Sequence, residues 1–414
     1  MLAIYKRLLA GAGIAAAVGA AAYAGISTYY FKKKCRLGTE FVEGTIDEYD
    51  WQSSDKFCAD DYPAITAKNG KVRILALTDT HLEMTGIYSN DRWTKHIPVK
   101  TGYRHIKKLI EASQPDLIVL TGDVLTDPFS DIVFQNIADF LDGFNIPWTM
   151  VFGNHDGEWR ASKEFFCNVM ERSKNCIFRP GPTNLQGLGN SLINFKTADG
   201  KIFYSLILMD SGDSQKIDEN KIWYSDMKLD KTNRRFGTVR VGINDKQTQW
   251  YKWVINGLKE QCGDTVETML AMHFPLKAYE YAVRLGKFTR NEMPFEVAGE
   301  DCYDPPEKFS KFNEMDADTL KEGYEDYKKN YPFYKAIKEL GSTKHIITGH
   351  NHCFGYTADF DGISFTSVVK TTSIYVERKY DHGKRGGTIF EISENAVNGT
   401  HVTKNQPIYN RELK

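Results

Sequence analysis

Apolar residues along this chain come in short runs, and five of those runs lead into similar polar clusters. Lys71–Leu77 (KVRILAL), Asp116–Thr121 (DLIVLT), Trp148–Phe152 (WTMVF), Val266–Met272 (VETMLAM) and Lys344–Thr348 (KHIIT) each have strand length. Runs this short, rich in branched and aromatic side chains, predict strands buried on both faces. Between them, apolar residues recur at helical spacing. Helices are expected near Lys100–Ser113, where Ile106, Leu109 and Ile110 share one face, and over Asp131–Phe144, Ser162–Glu171, Asp245–Cys262 and Tyr331–Leu340. The first three runs therefore alternate with helices, the pattern of an α/β domain.

After the third helix the texture changes. Pro180-Gly181-Pro182 and Gly187–Gly189 are turn-rich, and Ser191–Phe195 and Phe203–Met209 look like antiparallel strands. Ser211–Gly242 is charged and irregular, which suggests a surface excursion. Ala278–Asn330 is long, charged and aromatic, with Asp304-Pro305-Pro306 in its middle. An insertion of that kind is either a lid or binding loop or a plain solvated excursion. Strands near Gly362–Val369, Thr372–Val376 and Gly387–Ile392 close the pattern, and no segment repeats. The expected organisation is a lead-in over residues 37–70, a single domain over 71–395 with its insertion at 278–330, and a tail over 396–414.

The first 36 residues stand apart. After Lys6-Arg7 the chain carries no charge from Leu8 through Phe31 and then meets Lys32-Lys33-Lys34-Cys35-Arg36. A bilayer core needs roughly 20 apolar residues, so this run suffices to cross one. A cleavable signal peptide fits the basic start and the small-x-small triplet Ala22-Tyr23-Ala24. A retained anchor fits the apolar residues that continue past it, Ile26 and Tyr29-Tyr30-Phe31. The expected location is thus membrane-anchored or exported, with both flanks positive and no orientation implied. Cys35 beside the run is a lipidation candidate only by position.

Composition narrows the chemistry. The formal net charge of the 414 residues is -1, so no bulk basic footprint points to nucleic acid. Aromatic residues make up 13%, which favours a large core. The seven cysteines form no CxxC pair, which excludes zinc-ribbon and dithiol redox motifs. Their odd number leaves at least one thiol unpaired in an oxidising compartment.

The candidate chemistry sits at the strand ends. KVRILAL ends in Thr78-Asp79-Thr80-His81, and residues two apart on an extended segment offer carboxylate and imidazole to one side. DLIVLT ends in Gly122-Asp123, WTMVF in Gly153-Asn154-His155-Asp156, VETMLAM in His273, and KHIIT in Gly349-His350-Asn351-His352. Polar groups placed beside a core need partners, and a metal ion satisfies several at once. Five of the ten histidines lie in these motifs; His96, His105, His345, His382 and His401 follow no pattern.

In that order, D-x-H, G-D, G-N-H-D, a lone H and G-H-x-H resemble the calcineurin-like metallophosphoesterase superfamily. The resemblance covers about Val72 to Ile392. The spacing and the helix containing Gln249-Trp250 look closest to the purple-acid-phosphatase-related and cyclic-nucleotide-phosphodiesterase-like members. The implied fold is two mixed β-sheets packed as a sandwich with helices outside.

The resemblance also implies a ligand set. Asp79, His81 and His352 would hold one metal ion, Asn154, His273 and His350 a second, and Asp123 would bridge them. His155 would face the leaving group instead of ligating, with Asp127 or Asp156 as its orienting partner. Purple acid phosphatases place a ligating tyrosine three residues after the bridging aspartate; Thr126 stands there here, so no tyrosinate colour is expected. Such nitrogen and oxygen donors accept Mn, Fe, Zn or Co.

The expected activity is hydrolysis of a phosphomonoester or phosphodiester. Two ions about 3.5–4 Å apart turn a bridging water into hydroxide and clamp a phosphoryl group for in-line attack. His155 would protonate the leaving group or stabilise it as a cation. Arg92, Lys95 and His96 either meet substrate oxygens or are solvated, and Tyr279 and Tyr281 either wall the pocket or pack. A catalytically silent scaffold on the same fold is the alternative from another class, since fold alone does not guarantee activity. A nuclease is a third, which the near-neutral charge does not favour.

Overall fold

A computed structural model of the chain describes residues 56–84, 99–157, 160–212, 214–216, 238–240, 242–288, 315–350, 352, 355–372 and 385–403. The apolar run 8–31, the cations Arg92 and Lys95, His96, most of the excursion 211–242 and the strand expected beyond Thr372 lie outside these residues. Among the described residues no helix is long and apolar enough to cross a membrane.

Two sheets face each other. In the five-stranded sheet, β2 (Lys71–Leu77), β3 (Leu117–Leu120) and β4 (Trp148–Met150) run parallel in that spatial order. β14 (Gly386–Ser393) and β15 (Ala396–Thr403) continue the sheet antiparallel on the other side of β2. The eight-stranded sheet contains β5 (Ser191–Lys196), β6 (Ile202–Leu208), β9 (Glu267–Met272), β11 (Thr343–Thr348) and β13 (Ile363–Ser367) in succession. Its edges are β1 (Ala64–Thr66), beside β5, and β12 (Tyr356–Phe360) followed by β10 (Lys287–Phe288). Among the described residues, two short strands, β7 (Ser214–Lys216) and β8 (Thr238–Arg240), pair only with each other.

The apolar runs are continuous because each strand is buried on both sides. In β2, Val72, Ile74 and Ala76 point between the sheets, where they join Leu206, Leu208, Met269, Ala271 and Ile347. Leu75 and Leu77 point outward onto helices α1 (Val99–Ser113), α2 (Ser130–Asp142) and α3 (Lys163–Arg172), through Ile106, Phe134 and Phe166 among others. On the far face, α4 (Asp245–Cys262), α5 (Ala278–Leu285), α6 (Ala317–Asn330) and α7 (Pro332–Leu340) cover the larger sheet. The result is four layers, helix, sheet, sheet, helix, and the sandwich expected from the motif order.

Three stretches differ from the sequence expectation. The ends of the insertion are not loops. Tyr279 on α5 is buried, and its hydroxyl lies 2.8 Å from the carbonyl of Ile346 and 3.0 Å from that of Thr366, where its one proton pins the helix to the larger sheet. Tyr281, Tyr324 and Tyr327 pack around it in the same core, so Tyr279 and Tyr281 serve packing; the middle of the insertion lies outside the described residues. The expected tail begins with β15, which pairs with β14 along its whole length after the two-residue turn Glu394-Asn395. Its polar composition (AVNGTHVT) hid it, because one face meets solvent. Finally, β1 joins the larger sheet from within the lead-in, pairing parallel with β5.

Candidate metal centre

The cargo of five strand ends converges at the carboxyl edge of the sandwich, the position where open α/β sheets place their ligands. Beyond β2 and β3 the chain stays in register for three more hydrogen bonds: Asp79 N–H to Gly122 O (3.0 Å), His81 N–H to Asp123 O (3.0 Å) and Leu82 N–H to Val124 O (3.1 Å). The two loops are not extended, however. Asp79 (φ 48°), His81 (φ 37°), Asp123 (φ 53°) and His350 (φ 66°) all occupy the left-handed region. Asp79 and His81 therefore reach one point by a curled backbone and not by the alternation of a strand. Such conformations cost of order 1–3 kcal/mol each and persist where surrounding bonds over-determine them.

Close approach of loops explains the glycines. Gly122 has φ 94°, and a side chain there would meet His273 Nδ1 at 2.4 Å. At Gly153 a Cβ would lie 2.2 Å from Asp123 Oδ1 and 2.4 Å from Asp123 N. Only glycine lets the third motif lie against the second.

Two clusters result, and they share a carboxylate. Asp79, His81, Asp123 and His352 bring donor atoms within 4.8 Å of one another, and so do Asp123, His273 and His350. Asn154 Oδ1 joins the second cluster, 3.2 Å from His273 Nε2. Each aspartate is anchored through one oxygen. Asp79 Oδ2 accepts from Thr78 Oγ1 (2.7 Å) and His350 N–H (2.9 Å), and Asp123 Oδ1 accepts from His155 N–H (2.8 Å).

The other oxygen of each, Asp79 Oδ1 and Asp123 Oδ2, is buried and has no donor among the described residues besides histidine imidazoles. Asp79 Oδ1 faces His352 Nε2 at 2.9 Å, and Asp123 Oδ2 faces His273 Nε2 at 3.3 Å and His81 Nε2 at 3.7 Å. A buried carboxylate oxygen without a donor is expensive, and a cation among these atoms removes the cost. The donor set therefore fits metal ions.

The histidine tautomers point the same way. His273 Nδ1 lies 2.8 Å from the carbonyl of Thr121, so that nitrogen carries the proton and Nε2 presents its lone pair to the cluster. His81 Nδ1 contacts Thr126 Oγ1 at 2.7 Å, and its Nε2 lies 3.1 Å from His352 Nε2. Two imidazole nitrogens this close require a proton or a cation between them.

With no cation, protons take that role. Burial disfavours a charged His273, but the carboxylates of Asp123 and Asp79 outweigh it and push the imidazole up to about 9. Burial likewise opposes ionisation of Asp123, yet the charges of His273, His155 and His81 hold it well below the usual carboxylate range.

His155 belongs to neither cluster. It is half-buried, with its ring edge-on to that of His81 at 5.2 Å between centroids. Its two candidate orienting partners are engaged by backbone. Asp127 accepts from Met84 N–H and Phe129 N–H (2.7 Å each), closing the turn before α2. Asp156 accepts from three amides of two loops. Burial, then the charge of Asp123, raise Asp156 to about 6 against the pull of those donors. The geometry thus gives both carboxylates a backbone role that the motif alone does not reveal.

Sequence reasoning also missed the threonines. The hydroxyls of Thr78 and Thr126 fix Asp79 and His81, and the backbone carbonyl of Thr121 fixes His273. The hydroxyl of Thr78, next to Asp79 in its motif, was a signal within reach; nothing in the letters marks Thr126 or the carbonyl of Thr121.

The model of one protein family, described as calcineurin-like phosphoesterase, matches residues 72–354. The chain belongs to that family. Within the calcineurin-like phosphoesterases it is similar to "Probable inactive purple acid phosphatase 14" of Arabidopsis thaliana, 21% identical over 324 residues that cover 72% of this chain and 69% of the relative. It is also similar to "Phosphatase DCR2" of Saccharomyces cerevisiae, 26% identical over 133 residues, 29% of this chain and 23% of the relative. Among solved structures, a dimetal phosphatase from Danio rerio aligns over 79% of this chain and 98% of its own, with a TM-score of 0.44 at 12% identity.

Proposed function

We propose that this calcineurin-like phosphoesterase hydrolyses a phosphate ester with two metal ions held by the converged strand ends. Asp79, His81 and His352 hold one, Asn154, His273 and His350 hold the other, and Asp123 contacts both. The observation that carries the proposal is the buried Asp123 Oδ2, which among the described residues has no donor besides imidazoles and faces both His81 and His273, one from each cluster. The mixed nitrogen and oxygen donors suit Mn, Fe, Zn or Co. Two such ions, when bound, supply a nucleophile from water and neutralise phosphoryl oxygens for in-line displacement.

The protein's own contribution is placement. The hydroxyls of Thr78 and Thr126 and the carbonyl of Thr121 orient ligands, and the curled loops bring seven donors to one edge. His155, beside the centre but outside both clusters, assists the departing alcohol. The apolar run 8–31 supports a location at or across a membrane, which carbonate extraction of expressing cells would test.

A silent scaffold is the second reading, favoured by the word "inactive" in the names of the Arabidopsis relatives. Against it, none of the expected donors is missing here. Metal analysis of the full chain decides between them, run with hydrolysis of p-nitrophenyl phosphate and bis-p-nitrophenyl phosphate in added Mn, Zn or Fe. About two ions per chain with turnover is the expected result, and the preferred ester separates monoesterase from diesterase. No turnover on either ester under any loading overturns the proposal in favour of the scaffold.

A further inference from the structure

Asp156 is fully buried, and both its carboxylate oxygens are occupied by backbone. Oδ2 accepts the amide protons of Asp123 (2.9 Å) and Gly153 (2.8 Å), and Oδ1 accepts that of Val124 (2.9 Å). These amides come from two different loops. The loop after β3 carries Asp123; the loop after β4 carries Asn154 and His155. Asp123 returns the contact by accepting His155 N–H through its own Oδ1. Two carboxylates thus staple the same pair of loops in opposite directions.

We infer that Asp156 is a positioning residue that fixes the separation of Asp123 from Asn154, and with it the geometry of both ion sites. It is not the orienting partner of His155. This rests on the two-ion proposal above. The residue type follows from the donor count: three amides converge, and only an ionised carboxylate offers acceptors alone. Asparagine would turn one acceptor into an NH₂ facing a backbone N–H. Gly153 seats the staple, because any side chain there would collide with Asp123. A displacement of about 1 Å between groups that act together costs roughly a hundredfold in rate.

The test compares the full chain with Asp156→Asn. Mn is titrated calorimetrically into the metal-free proteins, spin coupling between Mn ions is read by electron paramagnetic resonance, and kcat is measured over aryl phosphates of graded leaving-group pKa. The expected variant binds its weaker Mn ion at least tenfold less tightly, loses the coupled signal and slows equally for every leaving group. Unchanged Mn affinity and coupling overturn the inference, as does a loss that grows with leaving-group pKa, which would restore a partnership with His155.

Should the variant not fold, hydrogen exchange on metal-free wild type judges the staple directly. Protection at Asp123, Val124 and Gly153 amides matching that of β3 supports it, and fast exchange overturns it. A wild type that binds no Mn but keeps those amides protected refutes the two-ion proposal while leaving the staple in place.

Discussion

Thr126 Oγ1 lies 2.7 Å from Nδ1 of His81, at the position where purple acid phosphatases carry a ligating tyrosine. The residue that departs from the related motif therefore contacts one of the proposed ligands. With Nδ1–H donated to Thr126, Nε2 of His81 keeps its lone pair toward Asp79, Asp123 and His352. Partners of this kind orient metal-binding imidazoles, and their loss typically costs about 10–100-fold in metal affinity.

Thr126→Val keeps the shape of the side chain and removes the hydroxyl. The expected outcome is a metal affinity lower by about 10–100-fold, with the thermal midpoint of the metal-free protein nearly unchanged. Calorimetric titration with Zn or Mn beside a melt of the metal-free form measures both. Affinity equal to wild type would show that His81 is oriented by other contacts.

The pH response of the metal-free protein follows from His273. Its folded pKa is about 9 against an ordinary 6.5, because Asp123 and Asp79 outweigh its burial. A group raised on folding stabilises the fold fully below its unfolded pKa, and that contribution fades as pH climbs through the folded value. The metal-free protein should therefore lose stability between pH 6.5 and 9. With metal bound, His273 Nε2 carries no proton, and the decline over this window should vanish. Melting curves of stripped and loaded protein across that range give the comparison; parallel curves would remove His273 Nε2 from the metal.

The ordered motifs were legible because each follows a strand with a short apolar run, and strands buried on both faces over most of their length leave such runs. Val72, Ile74 and Ala76 against one layer and Leu75 and Leu77 against the other make β2 readable at a glance. The curl of the loops was not readable. Nothing in the letters of Asp79, His81, Asp123 or His350 announces a left-handed backbone; it is imposed by the neighbouring loops, through bonds such as His350 N–H to Asp79 Oδ2. Asp127 and Asp156 show the same limit. A carboxylate beside a catalytic motif reads as a partner for histidine until the amides around it are seen. Strand β15 escaped because Val402 is the only buried residue among those of its length whose burial is described.

His155 separates chemistry from architecture. Its backbone N–H is fixed by Asp123 Oδ1, while its ring stands edge-on to His81, outside the two donor clusters. His155→Ala retains that backbone bond, so the metal content should stay at the wild-type value. The rate should fall by about 10²–10⁴-fold for esters whose alcohol leaves poorly, the range for a positioned acid. For p-nitrophenyl esters, whose phenolate needs no proton to depart, the fall should be much smaller. Plotting log kcat against leaving-group pKa for wild type and variant measures this as a steeper slope in the variant. Two parallel lines would mean that His155 holds the phosphoryl group and gives nothing to the departing alcohol.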